Sequence, residues 1–254
     1  MSLYFNGCSF TYGAELSTPE ISAWPTLMSK HLDLEFTNDA VGGGTNQRTM
    51  YKTIQEINNY DCFVIAWTWY DRFTEYNPVD NFEINFNASS LIDVSTHFSD
   101  DLKTNYKKFQ DYHTMYYKHW FNGLYQFKQW LQQIILLQSL FKEKNKKYIM
   151  LNTNNNELDK WCSSKDKFIS SVRPLLEFFD YLSDDLLLKE HRQIQNLLSL
   201  IDYSNFLKFN EWCISDYGDK FPVGPGGHIL EDGHIAVAET LINFYNKRYV
   251  LRKR

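Results

Sequence analysis

A continuous apolar run at residues 62–67, CFVIAW, constrains the fold more than any other feature of the sequence. A strand with apolar residues at every position is typical of a parallel sheet covered on both faces, because neither side of it faces water. Apolar segments at 3–6, 34–38 and 147–152 also predict strands, and helical patterns lie between them. This alternation predicts an α/β/α sandwich in three layers, with helices on both faces of a parallel sheet.

The helices are expected at residues 24–32, 45–60, 116–142 and 231–249. Pro25 near the start of the first suits a helix N-terminus, where its missing N–H costs nothing. Two stretches break the alternation and are interpreted as insertions in a single domain spanning 1–254. Residues 73–111 are rich in Asn, Asp, Ser and Phe and lack a long period, whereas residues 163–207 have a mostly helical pattern.

The composition excludes several classes of function. The chain has 254 residues, 43% of them hydrophobic, which is enough for a sizeable core. A net charge of −5 gives no footprint for nucleic acid, so no nucleic-acid partner is expected. The apolar stretch 134–140 is too short to span a bilayer, and no membrane association is expected. The composition does not determine the oligomeric state.

The cysteines, at positions 8, 62, 162 and 213, have no CxxC spacing. They are interpreted as free thiols in a reducing compartment rather than a disulfide framework or zinc site. The N-terminus has no basic region followed by an apolar stretch and a cleavage site, so no signal peptide is visible. These features predict a cytoplasmic protein, without cofactor or metal.

Unusual segments follow the predicted strands, at the sheet edge where the active groups of such folds gather. They are Gly7-Cys8-Ser9, the glycine loop 42–44 with Thr45-Asn46, and the segment 67–72, WTWYDR. A loop near the C-terminus adds Gly226-Gly227-His228 and, six residues after that histidine, His234. The fold would bring these loops together.

In this order and spacing, the segments resemble the SGNH hydrolase superfamily, also called GDSL esterases and lipases. Gly7 and Ser9 match its Gly-Asp-Ser block, in the Gly-Cys-Ser-Phe-Thr form of a divergent branch associated with bacteria and phages. The resemblance therefore implies a cytoplasmic or virus-encoded protein. Asn38 and Gly43 match the second block, and His228 has the spacing to His234 found in the last. The resemblance spans residues 3–241 and implies a flavodoxin-like central sheet and a serine esterase or acyl hydrolase.

Two blocks depart from the family pattern. Trp67-Thr68-Trp69-Tyr70 stands where the family has Gly-x-Asn-Asp, so the asparagine that helps to bind the oxyanion is missing. Pro225 stands three residues before His228, where the family has the orienting aspartate. The sequence suggests Asp219 as a replacement acid, a loop carbonyl as another partner, or a Ser–His pair without an acid.

The resemblance implies that Ser9 is the nucleophile and His228 the base, with the N–H groups of Ser9 and Gly43 binding the oxyanion. Asn46, Thr68 and Trp69 are candidate substrate-binding residues. The substrate would be a small acyl ester, and family analogy favours O-acetyl groups on carbohydrate.

Each of these residues also has a plainer interpretation. Ser9 suits a helix N-cap, the glycines suit a flexible loop, and Asn46 suits a turn or cap. Trp69 is either packing or the floor of a sugar or acyl pocket. Cys8 is a minor alternative nucleophile. The pair His228 and His234 with Asp232 is weak evidence for a metal site, because no third ligand is placed.

Two functions remain open at this point. One is the serine esterase. The other is a catalytically inactive protein of the same fold that binds a glycan or another protein through its aromatic-rich insertion. The departures in the third and last blocks favour the second, and the intact Ser9, Gly43 and His228 favour the first.

Overall fold

A computed structural model describes residues 1–77, 82–86, 111–156, 163–172, 183–209 and 211–251. Its strands are β1 (Ser2–Asn6), β2 (Glu35–Asn38), β3 (Cys62–Trp67), β4 (Phe73–Asn77), β5 (Phe82–Phe86) and β6 (Lys147–Asn152). Its α-helices are α1 (Ser9–Tyr12), α2 (Pro19–Ser22), α3 (Trp24–Leu32), α4 (Asn46–Gln55), α5 (Gly123–Glu143), α6 (Lys165–Val172), α7 (Asp184–Ser199) and α8 (Glu231–Tyr245). Short 3₁₀ helices cover Tyr203–Asn205 and Ile214–Asp219, and π-helical turns cover Tyr116–Trp120 and Asn246–Val250.

Four strands form one parallel sheet in the order β2-β1-β3-β6. Asn6 pairs with Ile65, so the chain leaves β1 beside the last residues of β3. An isolated parallel bridge from Met150 to Phe206 continues the sheet beyond β6. The predicted parallel sheet with helices on its faces is therefore confirmed.

Alternate residues of β3 enter two different hydrophobic clusters, one on each face of the sheet. Cys62, Val64 and Ala66 face the cluster containing Trp24 of α3 and Val237 of α8. Phe63, Ile65 and Trp67 face the cluster built largely by α5 and α7. All six residues of β3 are buried, which explains the unbroken apolar run in the sequence.

Several predicted boundaries agree with the structure, and some helices are shorter than expected. The helix at 24–32 and the strands at 62–67 and 147–152 match their elements. The helix predicted for 45–60 ends at Gln55, and the one predicted for 116–142 consists of a π-helical turn followed by α5. The last predicted helix changes to a π-helical turn at Asn246.

The two stretches interpreted as insertions contain regular elements. The first holds the antiparallel hairpin of β4 and β5, and the second holds α6 and α7. β4 is connected to α4 by a hydrogen bond, in which the Thr74 N–H donates to the Gln47 side chain over 3.0 Å. The rest of the first insertion, 78–81 and 87–110, lies outside the described residues. Among the helices described, none combines the length and apolar character needed to cross a bilayer.

Candidate active site

Ser9 is the first residue of α1, directly after a sharp turn at the end of β1. The N-cap position belongs to Cys8, and that cap has no side-chain hydrogen bond. The alternative in which Ser9 serves as an N-cap is therefore wrong. Gly7 is required by the close approach of the turn to β3, since a Cβ there would lie 2.9 Å from the carbonyl oxygen of Ala66.

Asn6 holds the turn in place from within the core. Its Oδ1 accepts the Gly7 N–H over 2.8 Å, and its Nδ2 donates to the Tyr4 hydroxyl over 3.0 Å and the Thr49 carbonyl over 3.3 Å. The Tyr4 hydroxyl in turn donates to Asp39 over 2.7 Å. The turn at Gly7-Cys8-Ser9 is called the nucleophile turn here, after the role predicted for Ser9. This buried network connects the nucleophile turn to α4 and to the loop after β2.

His228 lies on the loop of residues 222–230, which precedes α8 and whose two ends are hydrogen-bonded to each other. The Gly224 N–H donates to the His228 carbonyl over 2.8 Å, and the Leu230 N–H donates to the Pro222 carbonyl over 3.0 Å. Val223 and Ile229 form an isolated antiparallel bridge within it. These bonds give the loop a defined hairpin-like shape despite its glycines at 224, 226 and 227.

Ser9 and His228, which are 219 positions apart in the sequence, are in direct contact. The Ser9 Oγ lies 2.7 Å from the His228 Nε2. Phe10 packs against the imidazole, with 4.8 Å between ring centroids. Ser9 is buried, and the His228 side chain is 19% exposed, so the pair lies near the surface with its imidazole partly shielded from water.

A carboxylate is hydrogen-bonded to the other imidazole nitrogen, and it belongs to Glu15. Its Oε2 lies 2.8 Å from the His228 Nδ1 and accepts the His228 backbone N–H over 3.1 Å. Its Oε1 accepts the Gly226 N–H over 2.6 Å. These bonds lower the pKa of the Glu15 carboxyl, with the Gly226 N–H as the largest cause and His228 as a further one.

The contact with Glu15 determines the tautomer of His228. An ionised carboxylate only accepts hydrogen bonds, so the Nδ1 atom carries the proton. The Nε2 atom is then free to accept from the Ser9 hydroxyl. The arrangement can therefore withdraw a proton from the serine, as a nucleophile–base pair requires.

Asp219 does not occupy the position suggested for it. It is an exposed residue at the end of the 3₁₀ helix Ile214–Asp219, and it makes no hydrogen bond to His228. Sequence reasoning missed Glu15 because it follows the serine instead of preceding the histidine. The available signal was the pair of glycines in the loop before His228, since a side chain at Gly224 or Gly226 would meet the Glu15 carboxylate.

The glycine loop after β2 lies against the nucleophile turn. A Cβ on Gly44 would be 2.7 Å from the Gly7 carbonyl oxygen and 3.3 Å from the Cys8 Cα. Gly43 has a φ of 68°, in the left-handed region that favours glycine. Within the described part of the chain, the N–H groups of Ser9 and Gly43 donate to no backbone carbonyl.

Asn46 is used in holding the segment after β3. Its Nδ2 donates to the Thr68 carbonyl over 3.0 Å, and its Oδ1 accepts the Thr68 N–H over 2.8 Å. Asn156, another residue missed in the sequence, donates to the same carbonyl over 3.1 Å. These bonds give Asn46 a positioning role, and the binding of substrate by Asn46 stays a prediction.

Thr68 and Trp69 differ in accessibility. Thr68 is fully buried, and its role in substrate binding stays a prediction. Trp69 is 37% exposed, and the Arg72 guanidinium lies over its ring at 4.5 Å from the centroid. Arg72 also donates to the Gly44 carbonyl over 3.3 Å, which connects this aromatic surface to the glycine loop.

The remaining candidates have structural surroundings. Cys8 is fully buried, with its Sγ 3.7 Å from the Thr153 Oγ1, which fits packing better than nucleophilic attack. His234 is fully buried and its Nδ1 accepts the Trp24 N–H over 3.1 Å, so it caps α3. Among the described residues, no three His, Cys, Asp or Glu side chains are grouped as a metal site requires.

Comparison with solved structures finds similar folds at low sequence identity. TesA is similar over 98% of this chain and 99% of its own, with 10% identity and a TM-score of 0.50. The esterase EstA from Pseudoalteromonas sp. covers 97% of both chains at 9% identity and a TM-score of 0.47. A G-D-S-L family lipolytic protein from Veillonella parvula covers 97% and 99% at 12% identity and a TM-score of 0.45.

Sequence comparison is less informative about activity. No curated protein matches the chain. Residues 14–165, more than half of the sequence, match the profile of DUF6071, a family of unknown function. This chain therefore belongs to the DUF6071 family.

Proposed function

We propose that this protein is a serine hydrolase of carboxylic esters, with Ser9 as nucleophile and His228 as base. One observation carries the proposal: the Ser9 Oγ lies 2.7 Å from the His228 Nε2. A serine hydroxyl is a weak nucleophile until a base takes its proton, and this distance is within hydrogen-bond reach. The sequence resemblance to SGNH hydrolases supports the same pairing.

The reaction would proceed through an acyl-enzyme. The Ser9 Oγ bonds to the ester carbonyl carbon while its proton passes to the His228 Nε2. Collapse of the tetrahedral intermediate breaks the bond between the carbonyl carbon and the alcohol oxygen, and His228 returns the proton to the departing alcohol. Water then attacks the acyl group with His228 as base, which releases the acid and restores Ser9.

The developing oxyanion would be bound by the N–H groups of Ser9 and Gly43. The position of Gly44 against Gly7 and Cys8 brings the glycine loop beside the nucleophile turn. Preorganised N–H donors are worth a few kcal/mol each at such a site, so two donors supply appreciable transition-state binding. No asparagine side chain from the third block assists them, because that position holds Trp69.

The proposed substrate is a small acyl ester, with O-acetyl groups on carbohydrate as the favoured class. Trp69 offers an exposed aromatic face next to the glycine loop, and a pyranose ring packs well on such a face. A small acyl group is proposed by analogy with the family that the sequence resembles.

Labelling with a fluorophosphonate tests this function without knowledge of the natural substrate. The wild-type protein is expected to be labelled on Ser9 and to hydrolyse p-nitrophenyl acetate. Ser9→Ala and His228→Ala are each expected to lower the rate at least about a thousandfold. Ser204→Ala, at a serine on a distant 3₁₀ helix, serves as the matched control and is expected to have wild-type activity.

Two outcomes would contradict the proposal. Hydrolysis unchanged by Ser9→Ala would mean that another group performs the reaction. Failure of the folded wild-type protein to react with the probe would favour the binding module, an alternative supported by the loss of the third-block asparagine and the exposure of Trp69. Isothermal titration with acetylated and unmodified oligosaccharides would then identify a glycan partner.

A further inference from the structure

We propose that Glu15 is the carboxylate that orients His228, so that the acid and the nucleophile come from the same short segment. This inference rests on the proposed function of Ser9 and His228. The SGNH pattern places the acid three residues before the histidine, and Pro225 holds that position here. Glu15 approaches the same ring nitrogen from a different part of the chain.

The first support is the number of bonds that converge on this carboxylate. It receives the Gly226 N–H over 2.6 Å, the His228 N–H over 3.1 Å and the His228 Nδ1 at 2.8 Å. Two backbone donors fix both oxygens before the imidazole is added. Such fixed carboxylates orient an imidazole because the ring can rotate only at the expense of this bond.

The second support is the space left for Glu15 by the loop. A Cβ on Gly224 would lie 2.7 Å from the Glu15 Cδ, and a Cβ on Gly226 would lie 3.0 Å from its Oε2. The loop therefore wraps the carboxylate closely on both sides of Pro225. An aspartate at position 225 is unnecessary where the loop already encloses a carboxylate.

The third support is the backbone of Glu15 itself. Its φ is 70°, a left-handed conformation that is uncommon for residues other than glycine. Gly13, at the C-cap of α1 with a φ of 90°, turns the chain back toward the loop. Unfavourable backbone conformations persist where surrounding contacts fix them, and they concentrate at functional sites.

The chemistry requires the negative charge as well as the position. When His228 takes the serine proton, its ring becomes a cation beside the Glu15 carboxylate. The Glu15 side chain is 22% exposed, so part of the attraction survives screening by water. The lowered pKa of Glu15 keeps this carboxylate ionised over the pH range in which the histidine acts as a base.

A purely structural role for Glu15 gives different expectations. In that case its function would be to hold the Gly226 and His228 N–H groups, and any acceptor of similar shape would suffice. Glu15→Gln separates the two roles, because its amide keeps the shape of the carboxylate and one acceptor oxygen for the loop but carries no negative charge. If the NH₂ group faces Nδ1, the imidazole takes the tautomer with the proton on Nε2, which cannot accept from Ser9. If the amide oxygen faces Nδ1, the imidazolium loses the negative charge that stabilises it. Both orientations therefore slow the reaction.

The experiment compares the wild-type protein with Glu15→Gln and Glu20→Gln. Glu20 is an exposed glutamate of α2, so its substitution makes the same change in charge away from the site. For p-nitrophenyl acetate, Glu15→Gln is expected to lower kcat by roughly three to four orders of magnitude with KM nearly unchanged. Its reaction with fluorophosphonate is expected to slow by a similar factor, and Glu20→Gln is expected to match the wild type.

A second measurement does not depend on activity. In the wild type, ¹⁵N NMR of the imidazole is expected to show His228 in the Nδ1–H tautomer, with a proton resonance far downfield that disappears in Glu15→Gln and in His228→Ala. Wild-type His228 in the Nε2–H tautomer would overturn the assignment. So would a Glu15→Gln protein with kcat within about twofold of wild type. Retained activity in Ser9→Ala would instead reject the proposed function, and the NMR measurement would still test the Glu15–His228 bond.

Discussion

Asn46 and Thr68 exchange a pair of hydrogen bonds, in which the Asn46 Oδ1 accepts the Thr68 N–H over 2.8 Å and its Nδ2 donates to the Thr68 carbonyl over 3.0 Å. The pair joins the first residue of α4 to the chain leaving β3. Because Asn46 follows the glycine loop and Thr68 precedes Trp69, this connection fixes the relative position of two loops around Ser9.

Removing the Asn46 amide should therefore affect stability and turnover together. Asn46→Ala leaves a buried N–H and a buried carbonyl of Thr68 with fewer partners, which costs about 1–3 kcal/mol of unfolding free energy. Movement of the glycine loop should also lower kcat. Urea unfolding and esterase kinetics measure the two effects. Asn59→Ala is the control, since Asn59 is exposed and its side chain donates to Glu56, three residues earlier in the chain. Equal stability of the two variants would show that the Asn46 bonds are dispensable.

The glycine loop permits a comparison between adjacent residues. Gly44→Ala would place a Cβ 2.7 Å from the Gly7 carbonyl oxygen, whereas a Cβ on Gly42 meets nothing within 4 Å. We expect Gly44→Ala to lower kcat by roughly tenfold to a hundredfold, because the loop must move away from the nucleophile turn. Gly42→Ala should retain wild-type kcat, and circular dichroism should show both variants folded. If both variants lose the same activity, loop flexibility rather than the close approach to Gly7 explains the glycines.

The parts of the fold that could be predicted from the sequence are those determined by local patterns. The run from Cys62 to Trp67 predicted a doubly covered strand, and Trp24–Leu32 had both a helical period and a proline at its start. Helix ends were less accurate because they depend on tertiary contacts. The expected helix after Gln55, for example, gives way to a turn although its apolar period continues to Ile57.

For the site, the order of the sequence segments predicted the contact of Ser9 with His228, but it did not predict that Glu15 contacts the same histidine. Parallel strands bring their carboxyl ends to one edge, so the loops after β1 and β2 had to meet. Glu15 lies at this edge because of a left-handed turn after Gly13 and the space left by two distant glycines. Neither feature produces a periodic pattern in the sequence from which it could be predicted. The bonds of Asn46 to Thr68 were not predicted for a related reason: a polar residue in such a loop has the same sequence signal whether it bonds to the backbone or to a substrate.

Trp69 should contribute to binding rather than to chemistry. Its ring is 37% exposed, and Arg72 stacks on one face at 4.5 Å, which leaves the ring held in place as a platform. Trp69→Ala is expected to raise KM for an acetylated oligosaccharide roughly threefold to tenfold with kcat nearly unchanged. KM for p-nitrophenyl acetate should stay the same, because so small an ester does not reach the ring. Tyr125→Ala, at an exposed tyrosine of α5, is the control. An equal rise in KM for both esters would contradict a role in recognising the alcohol portion.

His234 should make the stability of the protein depend on pH. It is fully buried, its Nδ1 accepts the Trp24 N–H over 3.1 Å, and burial lowers its pKa from 6.5 to about 4, despite an opposing effect of Glu231. The folded state thus holds this imidazole neutral, whereas the unfolded chain binds a proton below about pH 6.5. The stabilisation is present above that pH and is lost as the pH falls toward 4.

This pKa difference predicts a loss of about 2 kcal/mol in unfolding free energy between about pH 7.5 and pH 5 from His234 alone. Urea unfolding at a series of pH values measures it. His234→Gln should be less stable than wild type at neutral pH, since its amide replaces the imidazole imperfectly, but its stability should fall less steeply toward acid. His31→Gln controls for the loss of one histidine, because His31 is exposed on α3. If His234→Gln loses stability toward acid as steeply as the wild type, other groups cause the acid sensitivity and His234 serves only as the cap of α3.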